Sequence, residues 1–216
     1  MDSKFSTYDL LAYLMPGSVV VLITYYYVAN SYPTFADTVG KGSFAATAFI
    51  VASFIAGHFV QAVSSGDVEK VLYFLAGGKP SDRLIREGIT GMSKERWLSA
   101  KSRILTKQGL AASDGEVKAF DDDEAIKVAF KLSRKLGECE RFNGLYALNR
   151  ALLMALILGL VVAIVEAVRT WGGWPSLVAP VIVLSLALIQ LSRFRQRGEY
   201  LVIEAVSQAE LAPERK

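Results

Sequence analysis

Residues 151–168 read ALLMALILGLVVAIVEAV, and Glu166 is the only charged side chain among them. A helix needs roughly 20 mostly apolar residues to cross the hydrocarbon core of a bilayer, so this stretch predicts a membrane span. Three further apolar stretches hold no Asp, Glu, Lys or Arg, and lie at about 10–29, 44–64 and 174–191. Since lipid offers no hydrogen bonds to the backbone, each stretch is expected to be helical.

The composition fits membrane spans joined to a polar domain. Hydrophobic residues fill 52% of the 216 positions and mean hydropathy is +0.34, yet 21% of the residues are charged. The two classes are separated along the chain, which is typical of spans connected to a water-exposed domain. We therefore predict an all-α membrane protein with four transmembrane helices and a mainly helical cytoplasmic insert. The predicted segments are a membrane pair at 1–65, the insert at 66–148, a second membrane pair at 149–192 and a tail helix at 193–216.

The distribution of basic residues predicts the orientation. Of the 24 Lys and Arg, 16 lie between Lys70 and Arg150, and five follow the fourth span. The loop after the first span and the turn after the third hold only Lys41 and Arg169, respectively. Because positively charged segments stay on the cytoplasmic side of a membrane, we predict that the insert and both termini are cytoplasmic.

Pro16-Gly17 interrupts the first span and leaves two interpretations open. Proline fits the first turn of a helix but disrupts a helix interior. Either residues 7–15 form a short amphipathic segment at the interface and the crossing begins at Pro16, or one kinked helix continues through Pro16.

Turn and capping residues predict the helices of the insert. Residues 67–75 are expected to extend the second helix, and Ser93 is expected to cap a helix over 94–108. Residues 109–115 are predicted to be a loop. The run 138–168 predicts one long helix that enters the bilayer.

The sequence offers no set of residues for catalysis. It lacks the phosphate-loop, zinc-protease, nucleophile-elbow and dinucleotide-binding motifs, so we predict neither enzyme activity nor a cofactor. The single cysteine, Cys139, excludes an intramolecular disulfide and a cysteine-based zinc cluster. The acids Asp121–Glu124 start a helix and point in different directions, which favours an N-terminal charge cluster over a cation site. No metal ligand is assigned.

The spans contain two sets of candidate residues. Small residues recur every four positions at Ala48, Ala52 and Ala56, with Gly57 alongside, and such spacing lets helix backbones approach closely in lipid. We assign these residues to helix packing, within one subunit or between subunits. Polar side chains inside spans are rare and are candidates for a pore lining, and here they are Glu166, Thr24, Thr47, His58 and Gln190. For His58 the alternative is a neutral imidazole bonded to a neighbouring helix, and for Glu166 it is an ion pair with Arg169.

The most basic stretch of the insert is 94–107. On a helix, Arg96, Arg103 and Lys107 fall within a narrow arc, which suits a phosphate-bearing ligand, an oligonucleotide or the anionic leaflet. A solvated amphipathic helix is the alternative interpretation of this face.

Two short segments resemble a group of small bacterial four-span inner-membrane proteins. They are YDLLAYLMPG at 8–17 and RFNGLYALNR at 141–150. The order of two spans, a cytoplasmic insert and two spans is also similar over the whole chain. Such proteins resemble the membrane effectors of bacterial anti-phage systems, some of which form ion channels gated by a cytoplasmic domain that senses a nucleotide or DNA signal. The resemblance implies a bacterial inner membrane location and carries over no functional residue.

Together these features predict an oligomeric inner-membrane channel or membrane-perturbing effector, gated by its cytoplasmic domain, in anti-phage defence. One four-helix bundle has little room for a water-filled path, so a pore is expected around the axis of a homo-oligomer. The expected partners are the lipid bilayer, further copies of the chain and, at the insert, a nucleotide, an oligonucleotide or a soluble protein. The alternative is a non-conducting membrane anchor or scaffold that recruits a soluble partner. A lipid-directed enzyme is disfavoured because no acid, base and nucleophile converge.

Overall fold

The structure, a computed structural model, describes residues 7–31, 34, 43–111, 113–136 and 139–213. Nine helices and one 3₁₀ turn (Trp174–Leu177, before the last helix) are formed within these ranges. The helices are α1 (Thr7–Ser31), α2 (Ser43–Ser64), α3 (Asp67–Leu75), α4 (Pro80–Arg86), α5 (Lys94–Lys107), α6 (Asp114–Ala119), α7 (Asp122–Leu136), α8 (Cys139–Arg169) and α9 (Val178–Leu211).

The predicted fold class is confirmed. No strand occurs among the described residues, and a helical insert, α3 to α7, lies between the second and third membrane helices. Within the described ranges, four helices are long and apolar enough to cross a membrane, so the chain is a multi-pass membrane protein. The candidate spans are Leu10–Ala29, Ala45–Ser64, Phe142–Arg169 and Val178–Leu211.

The first helix continues through its proline. α1 runs from Thr7 to Ser31 with Pro16 inside it, and the Pro16 side chain is fully buried. The interpretation with a separate interfacial segment is therefore wrong, and a single helix forms. The long helix predicted over 138–168 is confirmed as α8.

One local prediction for the insert is wrong and another extends two residues too far, each for a local reason. Residues 67–75 do not extend α2, because Gly66 adopts a left-handed backbone (φ +72°) that ends one helix before α3 begins. A short helix, α6, begins inside the segment predicted to be a loop, because Ser113 and Glu116 form a reciprocal capping box. The Ser93 cap is confirmed, since its side chain accepts a hydrogen bond from the amide of Arg96.

The first compact unit, here called the membrane unit, contains Met1–Leu72 and Ala147–Phe194. In it α1 and α2 pack antiparallel, and α8 contacts both α2 and α9. Small side chains form its centre, where Ala151 and Ala155 of α8 are buried with Val60 of α2. Most large apolar side chains of these helices point outward, as expected where the surroundings are lipid.

The second compact unit, here called the insert unit, contains Tyr73–Tyr146 and Arg195–Lys216. Its core is built around Trp97, Ile104 and Leu105 of α5, which are 1% exposed or less. The end of α9 belongs to the same core and contributes Val202 and Val206. Residues that follow the fourth span in sequence are thus an integral part of the insert unit.

Candidate functional site

Glu166, the acidic residue of the third span, forms an ion pair on its own helix. Arg169 Nε lies 3.4 Å from Glu166 Oε2, and the Arg169 guanidinium also lies over the ring of Tyr27, 5.7 Å from its centroid. Glu166 lines a mainly apolar cavity of about 380 Å³ in the membrane unit, and Tyr26 and Thr170 line it as well. Whether Glu166 lines a pore in an oligomer stays a prediction.

His58 belongs to an aromatic cluster between α1 and α2. Its ring stacks on Tyr13 with centroids 4.0 Å apart and meets Phe54 edge-on at 4.6 Å. The imidazole is otherwise exposed at the outside of the membrane unit. A histidine placed in this way faces lipid or a neighbouring subunit.

The other polar candidates of the spans do not meet His58 or Glu166 within one subunit. Thr24 and Thr47 are exposed on α1 and α2. Gln190 is buried in α9 and donates from Nε2 to the backbone and side-chain oxygens of Asn149, at 3.1 and 2.9 Å. The five pore-lining candidates therefore do not form a continuous polar path through a single bundle.

Helix packing within one subunit involves only part of the small-residue pattern. A Cβ atom added to Gly57 would overlap the backbone of Tyr13, so α1 and α2 touch backbone to backbone at this point. Ala56 and Ala48 are half-buried, whereas Ala52 is exposed. The sequence interpretation missed Gly17, although it follows Pro16. A Cβ added to Gly17 would overlap the carbonyl of Ser53.

In the insert unit, the three predicted ligand-binding cations converge on one residue of α9. Arg96 Nη2 lies 2.9 Å from Glu210 Oε2, and Arg103 Nε lies 3.3 Å from Glu210 Oε1. Lys107 Nζ donates to the backbone oxygen of Glu210 at 2.7 Å. These cations hold the end of α9 against α5, and their charge is partly neutralised there.

A buried ion pair was not anticipated from the sequence. Arg83 of α4 places Nη1 2.8 Å from Oε1 of Glu199 in α9, and the two side chains are only 5% and 7% exposed. Arg195 approaches the same carboxylate oxygen at 3.4 Å. A pocket of about 520 Å³ lies beside this group and is also lined by the turn from Gly88 to Ser93. No sequence spacing relates positions 83 and 199, so only the tertiary structure could find the pair.

Two acids at the start of α7 form contacts that support the fold. Asp121 Oδ2 accepts a hydrogen bond from the amide of Glu124, and Asp122 Oδ1 lies 2.8 Å from the buried ammonium of Lys101. Among the described residues, no group of three His, Cys, Asp or Glu side chains is placed to hold a metal ion. The side chain of Cys139 lies outside the described part of the chain.

Comparison with protein-family models, curated proteins and solved structures finds no match to this chain. The resemblance to bacterial membrane effectors stays a prediction.

One carboxyl group of the insert, that of Glu95, has a lowered pKa. The pKa of Glu95 lies below its ordinary value of 4.5, because its own backbone N–H at the start of α5 and the Ser93 hydroxyl both favour the charged form. A lowered pKa in the folded state means that the charge supports the helix start above pH 4.5. That support is lost as the pH falls further.

Proposed function

We propose that this chain is an oligomeric channel or membrane-perturbing effector of a bacterial inner membrane, controlled by the insert unit on the cytoplasmic side. The observation that carries the proposal is the continuity of α9. One uninterrupted helix supplies the membrane unit up to Phe194 and the insert unit from Arg195 onward. Helices bend only gently unless a specific residue kinks them, so a shift of α9 in the insert core acts on the fourth span.

The insert unit holds its part of α9 through several independent contacts. Glu199 is fixed by the buried Arg83, and Glu210 by Arg96 and Arg103. A side chain at Gly198 would come within 2.7 Å of Pro80, so α4 and α9 are closely packed there. A signal that rearranges these contacts has a direct mechanical route to the membrane helix.

Conduction requires more than one copy of the chain. The polar candidates of one bundle are dispersed, and Gln190 and Glu166 are already bonded within the subunit. Exposed polar groups such as Thr24, Thr47 and His58 are available to neighbouring copies. Cyclic symmetry would bring equivalent side chains together around an axis, where rings of polar groups select ions.

The test lowers the helix stability of α9 where its membrane segment meets its insert segment. Arg193 and Gln196 are exposed positions of α9. Replacing both by Gly lowers helix stability by about 1 kcal/mol per site relative to Ala. The Ala pair removes the same side chains without loosening the helix, which makes it the matched control. If the insert unit holds the pore closed through the fourth span, proteoliposomes with the double-Gly variant should release potassium severalfold faster than those with the double-Ala variant.

Equal potassium release from the Gly and Ala pairs would contradict control through α9. No release from either pair, with folded oligomers present, would contradict the channel itself.

The alternative function is a non-conducting anchor that recruits a soluble partner. It is favoured by the hydrogen bond from Gln190 to Asn149 and the ion pair of Glu166 with Arg169, since both groups already have partners within one subunit. An anchor would release no ions in the same proteoliposomes. It would retain its partner when Glu166 is replaced by Gln.

A further inference from the structure

The insert unit carries a groove of about 820 Å³ whose cations have no partner within the described chain. Four basic side chains line it, namely Lys79, Lys127, Lys131 and Arg134. All four are exposed, and none forms an ion pair or a side-chain hydrogen bond with the described residues. Among the described residues that line the groove, Asp123 is the one acid.

This groove differs from the other basic surface of the insert. On α5, Arg96 and Arg103 share Glu210, and Lys101 is buried against Asp122. The cations that sequence spacing favoured for ligand binding are therefore engaged in holding the fold. By contrast, Lys127, Lys131 and Arg134 of α7 form no ion pair with a described residue.

The register of α7 produces the groove. Lys127, Lys131 and Arg134 follow each other at spacings of four and three residues, which aligns them on one face of the helix. On the adjoining face, Ile126 is buried and Phe130 is half-buried. These two side chains therefore give the groove an apolar wall beside its row of cations.

We propose that this groove binds a small organic phosphate of nucleotide size, with its phosphates on the cations and its planar or apolar part against Phe130 and Ile126. The volume lies within the range of about 300–1,000 Å³ that is usual for small-molecule sites. Four cations that have no ion pair with a described residue suit a ligand with two or more negative charges. Hydrogen bonds from cations to phosphate are the stronger, charge-assisted kind. The apolar wall favours such a ligand over inorganic phosphate.

The unliganded groove has an electrostatic cost that such a ligand would remove. Like charges at spacings of three and four residues on a helix destabilise it. A bound polyanion neutralises the row of Lys127, Lys131 and Arg134 and binds only the folded state. The ligand should therefore raise the melting temperature of the protein as well as bind to it.

The experiment uses the full-length protein in nanodiscs of zwitterionic lipid. Calorimetric titrations with ATP, with inorganic triphosphate and with vesicles that contain phosphatidylglycerol distinguish an organic phosphate, phosphate alone and a lipid headgroup. The groove variant is Lys127→Gln with Lys131→Gln. The control is Lys94→Gln with Lys118→Gln, which changes the charge equally at exposed positions outside the groove.

We expect ATP to bind, and to bind the groove variant at least about tenfold more weakly, because the loss of even one of the two charge-assisted contacts has an effect of that size. The control should change the affinity by less than about twofold, as exposed charges do. Inorganic triphosphate should bind more weakly than ATP, and Phe130→Leu should weaken ATP binding alone.

Three outcomes would overturn the proposal. They are no binding of ATP or triphosphate, equal weakening by the groove variant and its control, and binding to phosphatidylglycerol vesicles only. Because these titrations measure binding without any ion flux, their failure is distinguishable from a failure of the channel proposal.

Discussion

Gln61 of α2 donates a hydrogen bond from Nε2 to the backbone carbonyl oxygen of Ala12 in α1, across 3.4 Å. In an uninterrupted helix that carbonyl accepts from the amide of the residue four positions later, which here is Pro16. Proline has no amide hydrogen, so the carbonyl of Ala12 loses its helical partner. A carbonyl left unsatisfied in lipid is costly, and the side chain from the neighbouring helix replaces the missing bond.

This relationship predicts a specific coupling between Gln61 and Pro16. Gln61→Leu should destabilise the protein by about 1 kcal/mol, because it leaves the Ala12 carbonyl unpaired. Pro16→Ala restores the backbone amide that can bond to Ala12, so Gln61→Leu should cost less in that background. Thermal unfolding of the two single variants and the double variant in detergent measures the coupling. Additive effects would mean that the contribution of Gln61 does not depend on the missing amide of Pro16.

Gly57 should not tolerate a side chain. Because a Cβ atom there meets the backbone of Tyr13, Gly57→Ala must push α1 and α2 apart, at a cost of about 1–3 kcal/mol. Gly144→Ala is the control, since nothing lies within 4 Å of its added Cβ and α8 is helical there. That control should be neutral or stabilising. Chemical unfolding in mild detergent would reveal the difference.

Ala52→Leu distinguishes helix packing within a subunit from helix packing between subunits. Ala52 is exposed on α2, so the larger side chain should leave the unfolding of one subunit unchanged. If the alanine face joins subunits, the same change should reduce the oligomer size measured by light scattering in detergent. An unchanged oligomer would mean that this face contacts lipid.

Removing one member of the buried pair of Arg83 and Glu199 should strongly lower the stability of the insert unit. Glu199→Gln leaves the guanidinium of Arg83 buried without a counter-ion, and such changes cost about 3–5 kcal/mol. Replacing both residues by Met should cost less than the single change, because no buried charge remains. Differential scanning calorimetry provides the comparison. A double variant less stable than Glu199→Gln would assign the effect to packing instead.

The predicted orientation can be tested with single cysteines in a Cys139→Ser background. Lys118 is exposed in the insert, and Gly172 is exposed in the turn between the last two spans. A membrane-impermeant thiol reagent should label Gly172→Cys in intact cells but label Lys118→Cys only after permeabilisation. The reverse pattern would place the insert outside the cytoplasm. Lys118 is preferable to Ser113 as a probe, because the Ser113 hydroxyl caps α6.

Glu166→Gln tests whether this carboxylate lies at a pore mouth. A ring of carboxylates concentrates cations, so the neutral amide should lower cation preference in reconstituted bilayers while the oligomer stays intact. The ion pair with Arg169 is partly exposed and should contribute little to stability. Identical currents from the wild type and the variant would exclude Glu166 from the conduction path.

The amino-acid sequence alone determined the fold class and most helices. Long apolar stretches can cross a membrane only as helices or closed barrels, and their length and order fixed four spans around a polar insert. The N-cap Ser93 and the length of α8 also followed from the sequence, because both depend on residues close together in the chain. Gly66 and the Ser113 capping box carried local signals too, and the sequence interpretation did not use them.

The tertiary structure alone decided which side chains meet across long separations. The Ala12 carbonyl meets Gln61, Arg83 meets Glu199, and Arg96 meets Glu210, 114 positions away. Periodicity places a residue on a helix face but does not identify the residue opposite it. For that reason the sequence favoured the cations of α5 for a ligand, whereas packing paired them with α9. The cations of α7 form no ion pair within the part of the chain that the structure describes.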